Sequence, residues 1–95
     1  MVAVVADVEI LLPYSKSLKD KRMIIKSLID RIGNKGCASI SEVDYKDVLQ
    51  RSRLGIACVS PDSSSANQSI QRIKNKILSK DDVVLLKFEV NFFSL

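Results

Sequence analysis

Residues 2–12 read VAVVADVEILL, and the alternation in that stretch decides the fold. Val4, Ala6, Val8, Ile10 and Leu12 fall on one side of an extended chain, while Asp7 and Glu9 fall on the other. Side chains of a strand point alternately to its two faces, so this is a strand buried on one side and wetted on the other. Pro13 ends it, because proline has no N–H to give to a ladder. Ser17 then has the form of a helix N-cap, with Asp20 where a capping box carries Glu or Gln. From Leu18, apolar residues recur at 18, 25, 28, 29 and 32, which gives one helical face, and Gly33 and Gly36 offer its stop.

Further along, CASISEV at 37–43 is a weaker, more polar strand. DYKDVLQRS follows it, too long for a tight hairpin turn and without Gly or Pro; a helical turn burying Val48 and Leu49 is expected there. LGIACV at 54–59 is a strand of small residues with apolar side chains on both faces. Ser60-Pro61-Asp62-Ser63 reads as a turn and a helix start, after which Ala66, Ile70, Ile73 and Ile77 make an amphipathic helix. Asp81-Asp82 separates that helix from VVLLKFEVNFF at 83–93, where Val84, Leu86, Phe88, Val90 and Phe92 line one face.

The order is therefore βαββαβ, with no linker or low-complexity tract, and residues 1–95 are expected to form a single domain. A chain of this length buries about two thirds of its unfolded surface. Two right-handed βαβ crossovers interleaved in one sheet give an α+β, ferredoxin-like sandwich. Its four-stranded antiparallel sheet has the order 4-1-3-2, with both helices on one face.

Several chemistries are excluded by what the chain lacks. With no histidine, the usual neutral-pH acid/base and the Ser-His and Cys-His nucleophile pairs are missing. There is no GxGxxG and no GKS or GKT stretch. LPYSKS at 12–17, the first loop, has neither the paired cysteines of a copper carrier nor the glycine and arginine of an acylphosphatase-like phosphate cradle. Asp7 and Glu9 read as solubility groups beside Lys87, and Asp44 with Asp47 offers too few oxygens for a hard cation. No catalytic constellation, metal or cofactor is expected. Cys37 and Cys58 are too far apart for a zinc cluster and fit reduced, buried thiols. No apolar run approaches the roughly 20 residues of a membrane span, and the N-terminus lacks a basic leader region. A cytoplasmic protein without membrane contact is expected.

The charge is unevenly placed. Residues 14–36 hold seven cations against two acids, and the rest of the chain holds eight against nine, so the formal +4 resides in one segment. On a helical wheel Lys19, Arg22 and Lys26 form one stripe, spaced to meet successive phosphates. Lys16 and Lys35 flank it, and Arg51 and Arg53 are possible additions to the same nucleic-acid-binding set. Cations near a helix N-terminus oppose the macrodipole slightly, although solvated charge is common on any helix. Lys21 differs, since it falls within the apolar arc near Leu18, Ile25 and Ile32. A buried ammonium without a partner costs several kcal/mol, so Lys21 must snorkel out or meet a carboxylate; an ion pair with Glu42 or Asp44, pinning the helix to the sheet, is expected ahead of a ligand-binding role.

Two other surfaces bear on binding. Asp44, Asp47, Gln50, Arg51 and Arg53 offer polar reach for a small anion or an RNA backbone, or simply a structured connection. The two central strands present Asp7, Glu9, Gly55 and Ala57 away from the helices, with no ring for base stacking. The apolar strand 83–93 lies at a sheet edge, where it invites pairing with a second copy into a dimer.

SLKDKR at 17–22 followed by MIIKSLIDRI, SEVDYKD at 41–47 and QRSRLGIACVS at 50–60 together resemble the YlxP-like family of small bacterial proteins. Relatives typically carry an aromatic where this chain has Leu49 and another where it has Gly36. The resemblance implies the ferredoxin-like fold and genes that lie near translation-initiation and small-subunit maturation factors; it brings no catalytic residues. Together these readings point to a small cytosolic binding protein associated with RNA or a ribosomal subunit through its basic first helix. The competing class is a small-ligand or protein-binding and oligomerisation module without nucleic-acid activity.

Overall fold

A computed structural model of the chain describes residues 1–33 and 38–95. Its elements run β1 (Val2–Leu11), α1 (Leu18–Gly33), β2 (Ala38–Asp44), β3 (Arg51–Ser60), α2 (Ser63–Leu78) and β4 (Val84–Ser94). The strands form one antiparallel sheet in the order β2-β3-β1-β4, the expected 4-1-3-2 read from the opposite edge. Gly36, Cys37 and Lys35, which figure in the sequence reading, lie outside the described residues.

β1 sits between β3 and β4 because its alternation supplies the centre of the core. Val2, Val4, Ala6, Val8 and Ile10 are buried against Ile25, Leu28 and Ile32 of α1 and Ala66, Ile70, Ile73 and Ile77 of α2 in one cluster. β3 adds Leu54, Ile56 and Cys58 from the same side. Both helices start where side chains satisfy orphan backbone donors. Ser17 Oγ accepts the Asp20 N–H at 3.1 Å, and Asp20 reaches back to accept the Lys16 N–H at 3.0 Å. At α2, Asp62 accepts the Ser65 N–H at 2.8 Å.

Two bulges depart from plain alternation. In β4, Lys87 faces Glu9 while Leu85 faces Ile10, so Leu86 is an extra residue. The cause is a change of parity. Val83 and Leu85 pack inward near the turn, whereas Phe88 and Val90 pack inward further along, and one inserted residue reconciles them. Val84 and Leu86, expected on the inner face, are consequently exposed. In β2, Glu42 faces Leu54 while Asp44 faces Arg53, which makes Val43 the extra residue.

The connection between β2 and β3 also differs from expectation. It contains a turn at 45–50 and no helix, and Val48 and Leu49 are 44% and 37% exposed instead of buried. Tyr45, at φ 61°, turns the chain directly after Asp44. The loop is then held by polar bonds. Lys21 Nζ donates to the carbonyls of Tyr45 and Lys46, the latter at 3.3 Å, and Gln50 Nε2 donates to Ser15 O at 3.2 Å. These ties let β3 begin at Arg51, so Arg51 and Arg53 are strand residues and not part of a loop.

Candidate nucleic-acid interface

The buried Lys21 organises this side of the molecule. Only 2% of it is exposed, and its Nζ lies 3.1 Å from Glu42 Oε2. Glu42 also accepts from the Ser52 hydroxyl, which is itself fully buried. Asp44, the other carboxylate considered for Lys21, takes no part: the bulge at Val43 sends Glu42 to the helix side and Asp44 to the opposite face. There Asp44 Oδ2 lies 4.0 Å from Arg53 Nη1. Residues of all three motifs behind the family resemblance thus meet at one ammonium: Lys21 from the first, Glu42 and Tyr45 from the second, and Ser52 from the third by way of Glu42.

On the sheet face away from the helices, every cation of the central band has an acid partner. Arg53 makes two hydrogen bonds of 2.8 Å to Asp7, and Lys87 Nζ lies 3.2 Å from the same carboxylate. Arg51 donates to Glu9 at 2.8 Å and lies over the Tyr45 ring, 4.7 Å from its centroid. Bidentate pairing holds the Arg53 guanidinium against Asp7, whereas Arg51 is tied to Glu9 by a single bond and to Tyr45 by its place over the ring. These partners are not foreseeable from the sequence, because cross-strand pairing depends on register, which a single strand does not reveal.

Asp7 shows the strength of that arrangement. Its carboxyl is held at about 2, from an ordinary 3.8, chiefly by the Arg53 hydrogen bonds, with partial burial opposing and Lys87 adding to the effect. A lowered folded-state pKa stabilises the protein above pH 3.8, and that contribution is lost as pH falls from 3.8 toward 2. Asp7→Asn is therefore expected to melt lower at neutral pH and to lose part of the acid slope in that window. A melting temperature followed from pH 7 to about 2 checks this; an unaltered slope contradicts it.

The cations on α1 and just before it stand in contrast. Lys16, Lys19, Arg22 and Lys26 are exposed. Among the described residues none of their side-chain nitrogens lies within 4.0 Å of a carboxylate oxygen. Lys19, Arg22 and Lys26 recur at three and four residues along α1, as a ridge beside the apolar face. Arg31, further along the helix, donates to Ser79 Oγ at 3.3 Å. Next to the ridge, between α1 and the 45–50 turn, opens a cleft of about 430 Å³. Leu18, Ile25 and Ile29 form its apolar lining, with Arg22, Lys26 and Lys46 also contributing. Sequence reasoning missed this cleft, since it depends on how the turn folds back toward the helix.

Sheet order, crossovers and helices on one face define a ferredoxin-like α+β protein. The de novo designed protein Foldit4 aligns over 100% of this chain and 99% of its own, with a TM-score of 0.56 at 14% identity, a likeness of fold alone. The chain belongs to the family described as "Protein of unknown function (DUF503)", whose model matches residues 3–90. The uncharacterized protein YlxP of Bacillus subtilis (strain 168) is 38% identical over 68 residues, which are 72% of this chain and 74% of that protein. No described helix is long and apolar enough to cross a membrane.

Proposed function

We propose that the protein is a cytoplasmic RNA-binding accessory protein, of the kind that attends ribosomal subunits, and that Lys16, Lys19, Arg22 and Lys26 contact the phosphate backbone. One observation carries the reading: these four cations are exposed without a carboxylate partner, whereas Arg51, Arg53 and Lys87 each have one. Unpaired surface cations raise the local anion concentration and release counterions when phosphates replace them. The open sheet face supports this placement from the other side, because its central strands carry ion pairs and no ring for stacking. Lys35, included in the sequence reading, is left out of the set because it lies outside the described residues. Fluorescence anisotropy with a labelled single-stranded RNA of about twelve nucleotides at low salt tests the proposal. Saturable binding that survives Arg51→Gln with Arg53→Gln is expected; no binding overturns it.

We further propose that the outer edge of β4 pairs with a second copy of the chain. β4 has a neighbour on one side only, and Phe92 and Phe93 on it are 45% and 51% exposed. The bulge at Leu86 confines regular pairing to the residues after it. A two-fold axis at Glu89 would set like charges opposite each other. One at Val90 sets Phe88 beside the partner's Phe92 and leaves Glu89 beside the partner's Asn91. Light scattering on the eluting protein is expected to show a concentration-dependent dimer that Phe92→Lys abolishes. A clean monomer at high concentration contradicts the pairing.

A further inference from the structure

The cleft beside the ridge has a graded chemistry, and the grading points to an occupant. Leu18, Ile25 and Ile29 give it an aliphatic lining, while Arg22 and Lys26 belong both to it and to the ridge. Its more buried charged members are Lys21 and Glu42, and Lys46 and Asp47 line it from the 45–50 turn. The Lys21 ammonium donates to the Tyr45 and Lys46 carbonyls and is ion-paired with Glu42, so its charge is already met within the protein. Glu42 receives both its partners on Oε2; among the described residues Oε1 accepts no hydrogen bond. A negative oxygen at that position repels a phosphate or carboxylate but welcomes an N–H. The cleft therefore suits a largely neutral body bearing N–H groups, with its negative charge left outside against Arg22 and Lys26. A nucleotide has that distribution, and a free phosphate or a fatty carboxylate does not.

We propose that the cleft seats one unstacked base of the RNA whose phosphates lie along the ridge, so that the protein takes single strands in preference to duplex. The inference rests on the RNA reading above. A cavity of about 430 Å³ lies in the range that small-molecule sites occupy. A base stacked and paired in an A-form duplex cannot enter it, whereas a splayed base of a single strand can. Because the lining is aliphatic and without a ring, the gain falls at the lower end of what base stacking gives, about tenfold in affinity.

The experiment compares three ligands of equal length at one salt concentration: a single-stranded RNA, its duplex, and a strand in which abasic spacers replace the bases. The single strand is expected to bind about tenfold tighter than either of the others. Leu18→Gln, at the exposed start of α1, is expected to remove that preference while leaving abasic-strand affinity and melting temperature unchanged. Equal affinity for all three ligands, lost on charge reversal at Lys19 and Lys26, overturns the base-seating inference and leaves the phosphate reading intact. A preference that persists in Leu18→Gln also overturns it. Failure of every ligand to bind overturns both.

Discussion

Lys21→Met is expected to lower the melting temperature by about 10–20 °C. Removing one partner of a buried pair typically costs about 3–5 kcal/mol, and with Glu42 21% exposed and still accepting from Ser52, about 2–3 kcal/mol is the better figure here. A domain of this size loses about 4–8 °C per kcal/mol. Methionine would fill the volume of the lysine stem, and buried ion pairs elsewhere are often replaced by apolar groups without loss. The difference here lies in the acceptors. Glu42 and the carbonyls of Tyr45 and Lys46 would all lose the same donor, and Tyr45 sits in a left-handed conformation that a tyrosine adopts only under restraint. Glu42→Gln keeps an acceptor for Lys21 and Ser52, so it is expected to cost less. Thermal denaturation of both variants settles the matter, and a melting temperature unchanged or raised in Lys21→Met, with normal secondary structure, contradicts the account.

Charge reversal is expected to produce the largest effect on binding. Lys19→Glu with Lys26→Glu removes two of four phosphate contacts and sets two carboxylates against the backbone. Affinity for single-stranded RNA should fall about a hundredfold at moderate salt. Neither residue touches the core, so folding stability should hold. The paired arginines provide the opposite pattern: Arg51→Gln and Arg53→Gln should destabilise the sheet face while changing affinity about twofold or less. If the arginine changes abolish binding and the lysine reversals do not, the interface lies on the sheet and the reading of α1 is wrong.

Much of the architecture was legible in the sequence, for definite physical reasons. Alternation through Val4, Ala6, Val8 and Ile10 marks a central strand, and Lys21 inside an apolar arc announces a buried cation in need of a partner. What escaped notice were departures from simple periods. Glu42 and Asp44 share a face in any regular strand, and only the bulge at Val43 separates them. The Leu86 bulge was not readable, because residues 83–86 are apolar on both parities and only packing selects Val83 and Leu85. The partners of Arg51 and Arg53 were not readable, since Glu9 and Asp7 reach them only through the register between β1 and β3. The cleft likewise depends on the 45–50 turn, whose polar ties to Lys21 and Ser15 have no periodic signature.

The measurement that bears most directly on the central claim is a salt titration of wild-type binding to single-stranded RNA. Four phosphates neutralised by Lys16, Lys19, Arg22 and Lys26 require log K to fall against log salt with a slope of about −2.8. A slope near zero would mean that these cations meet no polyanion, and would contradict the account.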